Sequence, residues 1–219
     1  MANIYLVPNW FFSYSIGLEI AFALITILVA SYSFRIYNLC KEKEYKSFGI
    51  GFIFIAVSYL VWAFVNLFLL DKISSGVQAL TLQEFVSIGS VGIYVYMLFT
   101  LIGLATLAYI TLKTNNNKIY ALMIIISIVA LTFSLNKAIT FHLLSAIFLI
   151  FLISHFFIHY LKTKKHKNLL IPIAFVLLLA SHIHFIFAIN HYVYYVAGHI
   201  TELIAYLMIL GRLILIARK

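Results

Sequence analysis

The sequence predicts an all-α polytopic membrane protein, a bundle of seven transmembrane helices, and three observations predict it. Of the 219 residues, 65% are hydrophobic and only 10% charged, with a mean hydropathy of +1.10. A water-soluble domain carries about 25% charged residues, so too few are present to cover a water-facing surface. Apolar runs of about 20 residues, the length of a helix crossing the hydrocarbon core, recur along the whole chain. These runs are apolar all round instead of alternating, which argues against a membrane β-barrel.

Seven helical segments follow, over 10–34, 48–70, 85–112, 119–135, 138–161, 169–190 and 192–216. No lysine or arginine precedes Arg35, so the basic flank of a cleavable signal is missing and the first segment is expected to insert the chain and remain. The second segment follows the basic run Lys41–Lys46. The third follows the longest polar gap, 71–84, which could form a short interfacial helix. The fourth lies between Lys118 and Lys137, and the fifth is closed by Lys162–Lys167. The sixth carries Pro172 in its first turn, where proline removes no helical hydrogen bond. The seventh ends before Arg218 and Lys219. No soluble domain is expected, and the single cysteine, Cys40, precludes an intrachain disulfide.

The basic residues set an expected orientation. Arg35, Lys41, Lys43, Lys46, Lys113, Lys118, Lys162, Lys164, Lys165, Lys167, Arg212, Arg218 and Lys219 fall on one side of a seven-helix topology, against Lys72 and Lys137 on the other. Positive loops stay in the cytoplasm, so the N-terminus is expected outside and the C-terminus in the cytoplasm of a cell-membrane protein. The formal charge of +9 is then a row of loop ends suited to anionic lipid headgroups and to a cytoplasmic or membrane protein partner, not to nucleic acid.

The first three and last three segments echo one another. Lys41–Lys46 precedes the second segment and Lys162–Lys167 the sixth. Ser58 and Asn66 parallel Ser181 and Asn190. Gly92 and Lys113 bracket the third segment with the spacing of Gly198 and Lys219 around the seventh. This reads as a 3+1+3 parallel repeat with the fourth helix as linker.

Ionisable side chains at bilayer depth are costly and face the bundle interior. At a rise of about 1.5 Å per residue, Glu19, His142, His182, His184, His191, His199 and Glu202 all fall in the outer half of the membrane. The inner half holds His155 and His159. Tyr195, His199, Glu202 and Tyr206 are spaced 4, 3 and 4 and share one helix face. Ser15, Glu19 and Thr26 form a matching face on the first segment, and Ser58, Trp62 and Asn66 on the second.

Three readings of this cluster stand. In one, the carboxylates, histidines and tyrosines only hydrogen-bond helices together. In another, a zinc-like divalent metal is held by His142, His182, His199 and Glu202, with imidazole and carboxylate as ligands. In the third, one haem b takes an axial histidine from each of two facing helices, His142 with His182 or His199. Retinal is excluded chemically, because the seventh segment has no lysine for a Schiff base.

The segments also resemble known membrane families. Seven helices with an outside N-terminus resemble the membrane hydrolases that include alkaline ceramidases and adiponectin receptors. Those carry three zinc-binding histidines, whereas the last segment here offers His199 alone. The repeat resembles that of 3+1+3 sugar transporters, although the helix-breaking prolines of that family are missing. The closing run Tyr195-Val-Ala-Gly-His199-Ile-Thr-Glu-Leu-Ile-Ala-Tyr206 resembles the ends of archaeal seven-helix proteins, some similar to the membrane sensor halves of signalling proteins. That resemblance implies a sensor-like binding module. Its expected site comprises His142, His182, His199 and Glu202 as metal-type ligands, with Glu19, Tyr195 and Tyr206 contacting the guest. A metal-dependent hydrolase, a single-haem redox protein and a proton-coupled transporter are the alternatives.

Overall fold

An apolar segment in lipid can satisfy its own backbone only as a helix or a closed barrel, and the described elements are all helices. They are α1 (Asn9–Cys40), α2 (Lys43–Ser74), α3 (Leu82–Thr111), α4 (Asn117–Phe133), α5 (Lys137–Thr163), α6 (Leu170–Phe187) and α7 (Tyr192–Ala217). The computed structural model describes residues 9–74, 82–112, 116–164, 169–188 and 191–217. Six helices, α1, α2, α3, α5, α6 and α7, are long and apolar enough to cross a membrane. The 17 residues of α4 are apolar but shorter.

The helix ends differ most from the sequence reading between α1 and α2. A loop was expected over 35–47, yet α1 runs to Cys40 and α2 starts at Lys43, leaving two residues between them. No glycine or proline interrupts 35–46, so the helix continues into the polar region until Lys41 turns left-handed at φ 59. Its amide N–H returns to the Tyr37 carbonyl at 2.7 Å. Lys164 ends α5 in the same way, at φ 49, with its N–H 2.7 Å from the Tyr160 carbonyl. Asn116 and Asn136 cap α4 and α5 by accepting from the amides of Lys118 and Ile139. The gap expected at 71–84 is partly taken up by α2 and α3, and its middle lies outside the described residues. So do Lys113, Lys165, Lys167, Asn190, Arg218 and Lys219.

Helix contacts run α1–α2, α2–α3, α3–α5, α5–α6, α6–α7 and α7–α1, so six helices close a ring, and α4 sits outside it against α3 and α5. Leucine, isoleucine, valine and phenylalanine are exposed along the helices, among them Leu24, Phe64, Val91, Ile125, Ile147, Val176 and Leu207. A water-soluble protein could not tolerate so extensive an apolar surface, whereas lipid covers it at no cost. Phe22, Phe52, Phe141, Phe175 and Ile209 fill the interior.

Lipid supplies no hydrophobic drive between helices, so close packing must hold them. The tightest approach is between α2 and α3. A Cβ on Gly103 would meet the Gly51 carbonyl at 2.8 Å, and one on Gly51 the Gly103 carbonyl at 3.1 Å. Backbone cannot move aside as a side-chain tip can. Gly103→Leu is therefore expected to cost at least about 1–3 kcal/mol and to lower the yield of monodisperse protein in detergent. Gly211→Leu, with open space around its Cβ, is the control that should behave like the parent.

Candidate functional site

The polar faces expected on α1, α2 and α7 all turn inward. Ser15, Glu19, Thr26, Ser58, Asn66, His199, Glu202 and Tyr206 are buried. In a medium without water each must find a partner from the protein, and most do.

Glu202 of α7 is reached across the ring by Tyr59 of α2, whose hydroxyl donates to Oε1 at 2.5 Å. The Tyr59 and Tyr206 hydroxyls lie 3.0 Å apart. Glu19 of α1 is held by the Asn66 amide of α2, which donates to both carboxylate oxygens at 3.0 and 2.9 Å. The Trp62 side chain also hydrogen-bonds to Glu19, and Glu202 lies within its electrostatic reach. Both carboxylates are thus in the α1–α2–α7 wall, with neutral hydrogen-bond donors. Below them Thr100 of α3 donates to Ser58 at 3.0 Å.

His199 stands apart from this satisfied network. It is 7% exposed, and neither ring nitrogen has a hydrogen-bond partner among the described residues. The Glu202 Oε2 atom is 3.8 Å from its Nδ1, beyond hydrogen-bond length. Aromatic rings surround it. Tyr195 stands edge-on at 4.6 Å, Phe185 at 5.1 Å, Phe22 is stacked at 5.8 Å and Phe11 lies at 6.0 Å. The Tyr195 hydroxyl is bonded to Ser15.

His142 of α5 and His182 of α6 form a separate pair, with their Nδ1 atoms 2.9 Å apart. One ring donates Nδ1–H and the other accepts, so the two carry opposite tautomers. Phe185 divides this pair from His199. Its ring stacks on His142 at 5.6 Å and meets His199 at 5.1 Å. Gly198 makes that position available, since a Cβ there would come within 2.7 Å of the Phe185 ring.

The residues singled out from the sequence therefore fall into three groups. Glu202 and Tyr206 meet through Tyr59, Glu19 joins Asn66 beside them, and His142 pairs with His182, while His199 and Tyr195 lie between. The four-ligand set His142, His182, His199 and Glu202 is not assembled at one point, because Phe185 stands between its halves. Among the described residues no group of three or more His, Cys, Asp or Glu side chains is arranged to hold a metal. His199 and Glu202 alone fall short of the three protein ligands of a catalytic zinc. The His142 and His182 nitrogens are in direct contact, closer than the roughly 4 Å kept by two imidazoles on opposite sides of one metal. As arranged they do not fit a haem between them.

Sequence reasoning missed Tyr59, the residue that joins α2 to α7. The available signal was its depth, since tyrosines in membrane helices otherwise gather at the interfaces and Tyr59 is 2% exposed in the middle of α2. Tyr96 of α3, packed between Tyr59 and Phe141, has the same signal. No family model, curated protein or solved structure matches the chain.

Proposed function

We propose that this protein is a membrane-embedded binding module of sensor type, which takes a small polar guest at His199 and Glu202. One observation carries the reading. His199 is a buried imidazole whose two nitrogens have no hydrogen-bond partner among the described residues, beside a carboxylate oxygen just beyond bonding distance. Leaving a buried polar group unpaired costs about 1–3 kcal/mol, and a guest bonded to His199 recovers it. Tyr195, Phe185, Phe22 and Phe11 supply the apolar walls and Glu202 the second polar contact. A hydrogen-bonding molecule fits these two groups better than a tetrahedral metal. Glu19 and Tyr206 act one step away, through the Tyr59 and Asn66 bonds.

The same reading takes α4 as a seventh span and places the N-terminus outside, supported by the basic residues gathered on the turns and ends of alternate helices. The 3+1+3 repeat has further support. Lys41 and Lys164, Phe52 and Phe175, and Ser58 and Ser181 are each 123 positions apart. The lysines end helices left-handed, the phenylalanines are fully buried, and the serines bond to the carbonyl three residues back. The ring order also maps onto itself when α1, α2 and α3 exchange with α5, α6 and α7.

A second reading, proton-coupled transport, is favoured by the two carboxylates sharing one core and bonded to neutral donors. Proton-driven uptake into liposomes, lost in Glu202→Gln, would select it.

The test of the first reading is occupancy. Protein purified in mild detergent without chelator is extracted and analysed by mass spectrometry and for metals. The expected result is a near-stoichiometric small species that disappears in His199→Leu and Glu202→Gln while both variants stay folded. Occupancy that survives both substitutions overturns the site.

A further inference from the structure

Away from this core, the turn between α1 and α2 and the ends of α3, α5, α6 and α7 surround a cavity of about 580 Å³. Its volume lies within the roughly 300–1,000 Å³ of small-molecule sites. The charges on its walls are sorted. Glu42 comes from the α1–α2 turn and Glu44 from the first turn of α2, while His155, His159 and Lys162 come from α5 and Arg212 from α7. Counting the histidines as neutral, the two carboxylates balance Lys162 and Arg212, so the cavity is dipolar and not simply basic. The floor is apolar, formed by Phe48, Phe156 and Leu213.

One wall of the cavity belongs to the exposed apolar side of α5. Ile158 lines it and is 51% exposed, and its neighbours Phe157 and Leu161 face outward as well. Polar groups at the helix ends, an apolar floor and an exposed apolar wall reproduce the boundary between headgroup and acyl chain. The fold brings Glu42 and Glu44 to the same cavity, because α1 continues past residue 34 and turns within two residues.

We propose that this cavity binds a phosphodiester amphiphile whose headgroup carries an ammonium, with phosphate against His159, Lys162 and Arg212, ammonium against Glu42 and Glu44, and one chain along Ile158. A headgroup of single negative charge would meet the two carboxylates unpaired, which favours the zwitterion. The site is separate from the His199 centre and does not depend on it.

Native mass spectrometry of delipidated protein titrated in detergent with dioleoyl phosphatidylethanolamine, dioleoyl phosphatidylglycerol or free O-phosphoethanolamine tests this. The expected result is one phosphatidylethanolamine adduct, bound at least about tenfold more tightly than phosphatidylglycerol, the discrimination one charge-assisted contact provides. Glu42→Gln/Glu44→Gln should abolish that preference, and His159→Gln/Lys162→Gln should weaken both lipids. These four side chains are exposed, so folding is spared, and thermal unfolding checks it. Equal binding of the two phospholipids by the parent overturns the dipolar site. Binding of free O-phosphoethanolamine as tight as the lipid overturns the amphiphile. Adducts unchanged in both double variants overturn the location.

Discussion

Replacing His199 with leucine raises the unfolding temperature of the protein purified without guest. The expectation runs against the usual effect of a core substitution, which is destabilising by about 0.5–3 kcal/mol. It follows from the surroundings. Among the described residues the imidazole has no hydrogen-bond partner at either nitrogen, and its neighbours Phe11, Phe22, Phe185 and Tyr195 are rings that a leucine side chain contacts as well. Removing an unsatisfied buried group recovers about 1–3 kcal/mol, which for a chain of this length is roughly 2–10 °C. Intrinsic fluorescence during heating in detergent measures it. A binding site built at the expense of stability predicts this gain together with loss of the guest. A fall in unfolding temperature would mean that His199 is satisfied in the folded protein, and the binding reading would lose the observation that carries it.

Asn66→Leu should have the opposite effect. The substitution removes the amide nitrogen that bridges both Glu19 oxygens, at 3.0 and 2.9 Å, and leaves a carboxyl group 1% exposed with Trp62 as its remaining hydrogen-bond donor among the described residues. Leaving a buried acceptor without its donor costs about 1–3 kcal/mol, and a loss of that size is expected. Glu19→Leu combined with Asn66→Leu should recover most of it, since replacing both partners by apolar groups is nearly neutral. The double-mutant cycle, read by thermal unfolding, isolates the pair. If the double variant is no more stable than Asn66→Leu, the bond between α1 and α2 is not what holds that wall.

The two substitutions separate what was legible in the sequence from what was not. Glu19, His199 and Glu202 stand out in any reading of the chain, because an ionisable group within an apolar run is unusual wherever the run ends up. Their inward direction was legible too, from the 3- and 4-residue spacing. The spacing does not say that Asn66 would satisfy Glu19, that Tyr59 would reach Glu202, or that His199 would be left over. It also made a four-ligand centre of His142, His182, His199 and Glu202 look reachable, since all lie at similar depth. Phe185, an ordinary apolar residue in sequence, separates them.

By itself the sequence determined the membrane class and the helical segments. These follow from the cost of transferring charge and backbone into lipid, which depends on each residue and its near neighbours along the chain. The tertiary structure alone decided which polar groups are paired, where α4 sits outside the ring, and that Glu42 and Glu44 line one cavity with His155 and His159. Such pairings depend on the azimuth and separation of different helices. Those are set by close contacts such as Gly51 against Gly103 and Gly198 against Phe185, between residues far apart in the chain.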